Sequence, residues 1–121
     1  ELATELIVAA GAAPHARARV VALAETMRAF AHRCPVGYGL VFGPATAARP
    51  DPAALAAAAE PLLDATRDLV GAAHALDAAR LLTAWLHGFL AMDLAGAFRL
   101  GGDVDAAFDY GLRSILGAIE R

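Results

Sequence analysis

The residues of this 121-residue chain that could do chemistry are four histidines, one cysteine, one serine and thirteen carboxylates. Their spacing decides how far each reading goes. His15, His32, His74 and His87 are scattered, and the only local pair is His74 with Asp77. Two ligands do not make a metal site, so no metal is expected. Ser114 has no histidine near it in sequence, and Cys34 beside Pro35 reads as a small buried apolar residue rather than a nucleophile. Most carboxylates sit on polar faces with arginine neighbours. Asp93 is the exception, because its surroundings are apolar; it could cap, pair across a dimer, or meet Arg99 or Arg113. His87 is the most informative polar residue. In an apolar stretch it either orients a polar ligand atom or is a satisfied core histidine bonded to a backbone carbonyl or a carboxylate. No glycine-rich phosphate loop follows a strand, and Gly101-Gly102 reads as a helix–helix turn. These residues predict neither an enzyme nor a cofactor.

The elements that must position them are helical. The chain is 59% hydrophobic, but 33 of those residues are Ala and 17 are Leu, a helix-forming composition rather than that of a membrane span. No uncharged apolar run reaches about 18 residues, which excludes a transmembrane helix. The longest uncharged stretch, Cys34 to Ala48, carries two Pro and three Gly. One cysteine excludes a disulfide scaffold, and no signal peptide is visible, so a cytoplasmic setting is the expectation. A net charge of −3 argues against this chain gripping nucleic acid by itself. The chain starts Glu-Leu-Ala without Met, as a piece of a longer protein would.

Breakers divide the chain into helical blocks within one expected domain, 1–121. The first, about 1–10, stops at Gly11. The second runs from Pro14 to about Arg33, with Val20, Leu23, Ala24, Met27, Phe30, Ala31 and Cys34 on one stripe. Val36–Phe42 is a short third piece. Asp51 and Pro52 predict the cap and first position of a fourth, ending near Gly71. A long fifth block, about Ala73–Leu100, is apolar on nearly every side after Thr83. Asp103 caps a final helix to about Glu120.

A helix apolar all round must be buried all round, and the rest of so short a chain offers few helices to surround it. The sequence therefore predicts an all-α bundle whose last two helices also pack on a second copy, as a four-helix interface. The residues assigned to that interface are Phe98, Phe108, Gly111, Leu112, Ile115, Ala118 and Ile119.

Trp85-Leu86-His87-Gly88-Phe89, then Leu94-Ala95-Gly96 and Asp105-Ala106-Ala107-Phe108, with Cys34-Pro35-Val36-Gly37-Tyr38 to Phe42-Gly43 upstream, resemble the C-terminal domain of the TetR family of bacterial transcriptional regulators. More narrowly they resemble its Trp-His-Gly subgroup, although the separation of Trp85 from His87 is one residue short of the usual pattern. The resemblance covers about residues 14–120. It implies a repressor with a helix-turn-helix before residue 1, absent here, that binds operator DNA as a homodimer. Residues 1–10 would be the end of the helix linking the two domains, and the last two helices the dimer interface. It also implies a small, largely apolar effector held among the central helices. The residues expected around it are Met27, Phe30, Tyr38, Phe42, Leu63, Thr66, Leu82, Trp85, His87 and Phe89. The alternative is a ligand-free helical dimerisation or protein-interaction domain; a cavity of a few hundred Å³ would separate the two.

Overall fold

The computed structural model describes residues 2–42 and 52–120, and among them the chain is entirely helical. Six helices follow in order: α1 Leu2–Ala12, α2 Ala16–Arg33, α3 Pro35–Phe42, α4 Pro52–Val70, α5 Ala75–Leu94 and α6 Val104–Ile119. α4 begins at Pro52 as expected; Asp51, expected to cap it, and Gly43-Pro44 lie outside the described residues. His15, rather than Pro14, marks the start of α2: its Nδ1 accepts the amide of Ala18 at 3.2 Å. Pro35 ends α2 at Cys34 and opens α3 in the same step, since proline is tolerated only in a first turn. Asp103 caps α6 as expected, accepting the Asp105 amide at 2.9 Å.

The fifth helix corrects the sequence reading. It ends at Leu94, six residues before the expected stop. Gly96 takes φ +67°, its amide bonds the Asp93 carbonyl at 3.1 Å, and the Ala97 amide bonds the Met92 carbonyl at 2.9 Å. This is a Schellman stop, and it requires the left-handed conformation that glycine adopts without a Cβ clash.

Helices α1, α2, α4 and α5 pack on one another around the core, and α6 lies against α5. Leu6, Val20, Thr66, Leu90 and Leu116 are the largest side chains with essentially no exposed surface. Each buried aliphatic side chain contributes roughly 1.5–3 kcal/mol of transfer free energy, so the stripes read from the sequence are what holds these helices together. Val20, Leu23, Ala24, Met27 and Ala31 of α2 all face this core. Ion pairs tie the rim: Arg33 meets both carboxylate oxygens of Glu5 at 2.7 and 2.8 Å, Arg19 reaches Asp68 at 2.5 Å, and Arg17 pairs with Glu120.

The final helix supplies a second correction. Phe108, Leu112 and Leu116 are buried within the chain, and Ile115 and Ile119 pack partly buried against the same core. Phe108 and Leu112, assigned to a partner, are therefore covered within the chain, because one side of α5 was still uncovered and α6 covers it. Gly111 is spoken for in the same way. A Cβ there would stand 2.6 Å from Cζ2 of Trp85, so its missing side chain is filled by the indole. Of the residues assigned to the interface, Phe98 and Ala118 are exposed. The outward faces of α5 and α6 instead carry small residues, Ala84, Gly88 and Ala91 on one and Ser114 and Gly117 on the other, flanked by exposed Leu81, Met92 and Tyr110.

Candidate functional site

A cavity of about 60 Å³ lies where five helices meet. α1 contributes Leu6; α2 contributes Leu23, Ala24 and Met27; α3 contributes Phe42; α4 contributes Ala58, Ala59 and Leu62; α5 contributes Thr83, Leu86 and His87. Each of these elements turns an apolar stripe inward, and the small residues Ala24, Ala58 and Ala59 leave the space that larger side chains would fill. The lining is apolar except for Thr83 and His87.

His87 is placed by α3. The Tyr38 hydroxyl lies 2.5 Å from its Nδ1, and the Phe42 ring stacks on the imidazole with centroids 4.5 Å apart. Burial lowers the pKa of His87 and pushes that of Tyr38 up to about 12. Both groups are therefore neutral near pH 7. As an acid–base pair they are poorly poised: the phenol holds its proton more tightly than usual, and the imidazole is a weaker base than usual.

Four of the ten residues assigned to a pocket come together here: Met27, Phe42 and His87 on the wall, and Tyr38 behind His87. The other six lie elsewhere. Thr66 is buried, its hydroxyl donating to the carbonyls of Leu62 and Leu63 at 2.9 Å. Leu82 is core, and Leu63 is partly buried outside the cavity. Phe30 sits beside Gly37 and under the Arg33 guanidinium, 5.7 Å from its ring centroid. Trp85 and Phe89 point the other way, into an aromatic cluster with Phe98 and Phe108 at centroid distances of 4.9–5.6 Å. Periodicity alone could not separate these cases, because the core side of a helix spans more than a third of its circumference and α5 is lined by neighbours on two sides.

One polar constellation was missed. Asp93 bonds His32 Nε2 at 2.7 Å and Arg28 Nε at 3.2 Å, while Arg28 Nη1 also reaches Asp105 at 2.7 Å. The Arg28 guanidinium lies over the rings of Phe108, at 4.9 Å, and Phe89, at 5.9 Å. Burial alone would raise the Asp93 carboxyl, but the hydrogen bonds and charges of His32 and Arg28 hold it below the usual range. Burial works against the Arg28 charge too, and its bonds to Asp105 and Asp93 outweigh it, so its pKa is raised. The available signal was Arg28 and His32 at i, i+4 on α2, a spacing that puts both on one face. Neither Arg99 nor Arg113 meets Asp93; Arg113 pairs with Asp109 at 2.5 Å.

A larger cleft, about 510 Å³, opens between α2 and α6 beside this cluster. Its walls are charged and partly self-neutralised, unlike the apolar cavity. Among the described residues no three His, Cys, Asp or Glu side chains gather as a metal site would need, and no helix is long and apolar enough to cross a membrane.

An all-helical domain is the architecture that the resemblance implied. The family described as tetracyclin repressor-like, C-terminal domain, matches residues 20–115, and the chain belongs to it. No curated protein and no solved structure matches the chain. The C-terminal domains of this family are regulatory domains, concerned with effector binding and dimerisation.

Proposed function

We propose that this chain is the effector-binding and dimerisation domain of a bacterial transcription regulator, acting on operator DNA through a helix-turn-helix outside it. The effector is small and largely apolar. The observation that carries the reading is the family match over residues 20–115; the cavity, at about 60 Å³, is smaller than the few hundred Å³ expected of an effector pocket, and Leu6 of α1 forms part of its wall. Effector pockets are typically about 300–1,000 Å³. A ligand of ordinary effector size must therefore push the walls apart, and α1, the helix nearest the DNA-reading half in this scheme, is one of them. Such a ligand favours the conformation with α1 displaced, and DNA binding to the other conformation weakens ligand binding by the same factor. The outward faces of α5 and α6, with their small residues, are the surface on which a second copy packs.

The small volume also favours a second reading, a ligand-free dimerisation domain. Titration with methylenecyclopentane, followed by methyl NMR of Leu6 and Met27, separates the two. The sensor reading expects saturable shifts at both residues, abolished by Ala58→Leu, which fills the space. Shifts absent from the parent chain, or unchanged in a folded Ala58→Leu variant, would leave only the dimerisation role.

A further inference from the structure

The hydrogen bond between Tyr38 and His87 fixes more than a ring orientation. A phenol is a stronger acid than a neutral imidazole N–H, and an imidazole nitrogen is the stronger acceptor, so the hydroxyl donates and Nδ1 accepts. Tyr38 is buried and has no other hydrogen-bond partner among the described residues. With Nδ1 accepting, the single proton of the neutral imidazole sits on Nε2. That nitrogen has no partner among the described residues, yet no buried side-chain nitrogen or oxygen among them lacks one. Nε2 therefore keeps open surface, on a residue that lines the cavity.

The rest of the wall limits what can meet this donor. Among the described residues no charged one lines the cavity, and a charge buried without a partner is strongly disfavoured. A neutral hydrogen-bond acceptor, by contrast, can take the place of water on that N–H. We propose that the cavity selects an uncharged, apolar molecule bearing one hydrogen-bond acceptor, such as a ketone, ester or ether oxygen, which takes the Nε2–H of His87. This deepens the effector-cavity reading above and rests on it. Tyr38 is then a positioning residue: it never touches the ligand, and it sets which face of the imidazole donates.

Two probes of one shape test this, cyclopentanone and methylenecyclopentane, which differ by a carbonyl oxygen against a methylene carbon. Binding to the 121-residue chain is measured by NMR titration. A long-range ¹H–¹⁵N correlation of the imidazole reports which nitrogen carries the proton. The expected result is a two- to tenfold preference for the ketone, the range of one neutral hydrogen bond, with the proton on Nε2. The double variant Tyr38→Phe/His87→Phe removes the donor and leaves no orphaned hydroxyl; whatever its affinity for the alkene, it should lose the preference for the ketone over the alkene. A preference that survives in the double variant overturns the assignment and points to Thr83. Equal binding of the two probes by the parent chain, or a proton found on Nδ1, overturns it while leaving the cavity reading intact. Binding of neither probe removes both.

Discussion

Gly111→Ala should weaken this domain even though it replaces a helix-breaking residue with the best helix former. In the middle of α6, Ala in place of Gly gains about 1 kcal/mol of helix propensity. Against this stands the contact: the new Cβ would lie 2.6 Å from Trp85 Cζ2, 3.0 Å from Cε2 and 3.1 Å from Nε1. Carbon atoms sit comfortably at about 3.5–4.0 Å, so the indole must retreat by roughly 1 Å. It cannot do so freely, because Phe89 and Phe108 pack on it at 5.6 and 5.3 Å between centroids. Overpacking of this kind costs about 1–3 kcal/mol, and the net expectation is a loss of about 1 kcal/mol. For a chain of this size that is a fall in Tm of about 4 °C. Trp85→Phe removes the atoms in conflict, so in that background Gly111→Ala should instead stabilise by up to about 1 kcal/mol. Urea denaturation of the four proteins at one concentration gives the cycle, with a coupling of about 1–3 kcal/mol expected. Gly111→Ala stabilising the parent chain, with coupling near zero, would refute the packing of α6 on α5 described above.

Asp93→Asn should cost about 1.5–3 kcal/mol at pH 7, the range for a partly buried hydrogen-bonded charge. The Asp93 pKa is lowered in the folded state, so this stability is present above the ordinary carboxylate range and is lost as pH falls through the folded value. The gap between parent and variant in denaturation midpoints should close toward pH 3. His87 gives a second acid limb. Its folded pKa is also lowered, so stability declines as pH falls below about 6.5, where the unfolded imidazole takes a proton that the folded one refuses. Tyr38→Phe/His87→Phe should flatten that limb in a pH series of thermal melts. Ala84→Glu with Gly117→Glu places like charges on the outward faces of α5 and α6; light scattering is expected to report a dimer for the parent chain and a monomer for the variant, with helical content unchanged.

The sequence was most legible where one residue type meets one rule. Proline at 35 and 52, aspartate at 103 and the stripe of α2 each marked an element correctly, because capping and periodicity are local. Gly96 was passed over because the apolar run continues to Leu100, and only the paired bonds from Gly96 and Ala97 show where the helix stops. On α6 the stripe named Phe108 and Leu112, which the chain itself buries, but left out Leu116, which is buried as well, and included Ala118, which is exposed: periodicity says that a face is buried, not by what. The site followed the same division. His87 stood out as a polar residue in apolar surroundings, but its partner Tyr38 lies 49 residues away. Asp93 stood out too, and its partners lie 61 and 65 residues away on α2. Spacing cannot supply such pairs.

The two ion pairs between α2 and α6 have a kinematic consequence. Arg28 holds Asp105 near the start of α6, and Arg17 holds Glu120 just past its end. The clips are about 22 Å apart along α6, at 1.5 Å per residue. Each has at least one exposed or half-exposed partner and adds little strength, but together they hold both ends of one helix. Sliding α6 along its axis by a turn would break both at once. The two pairs thus mark the register of α6 against α2, while its buried Phe108, Leu112 and Leu116 set its angle to the core.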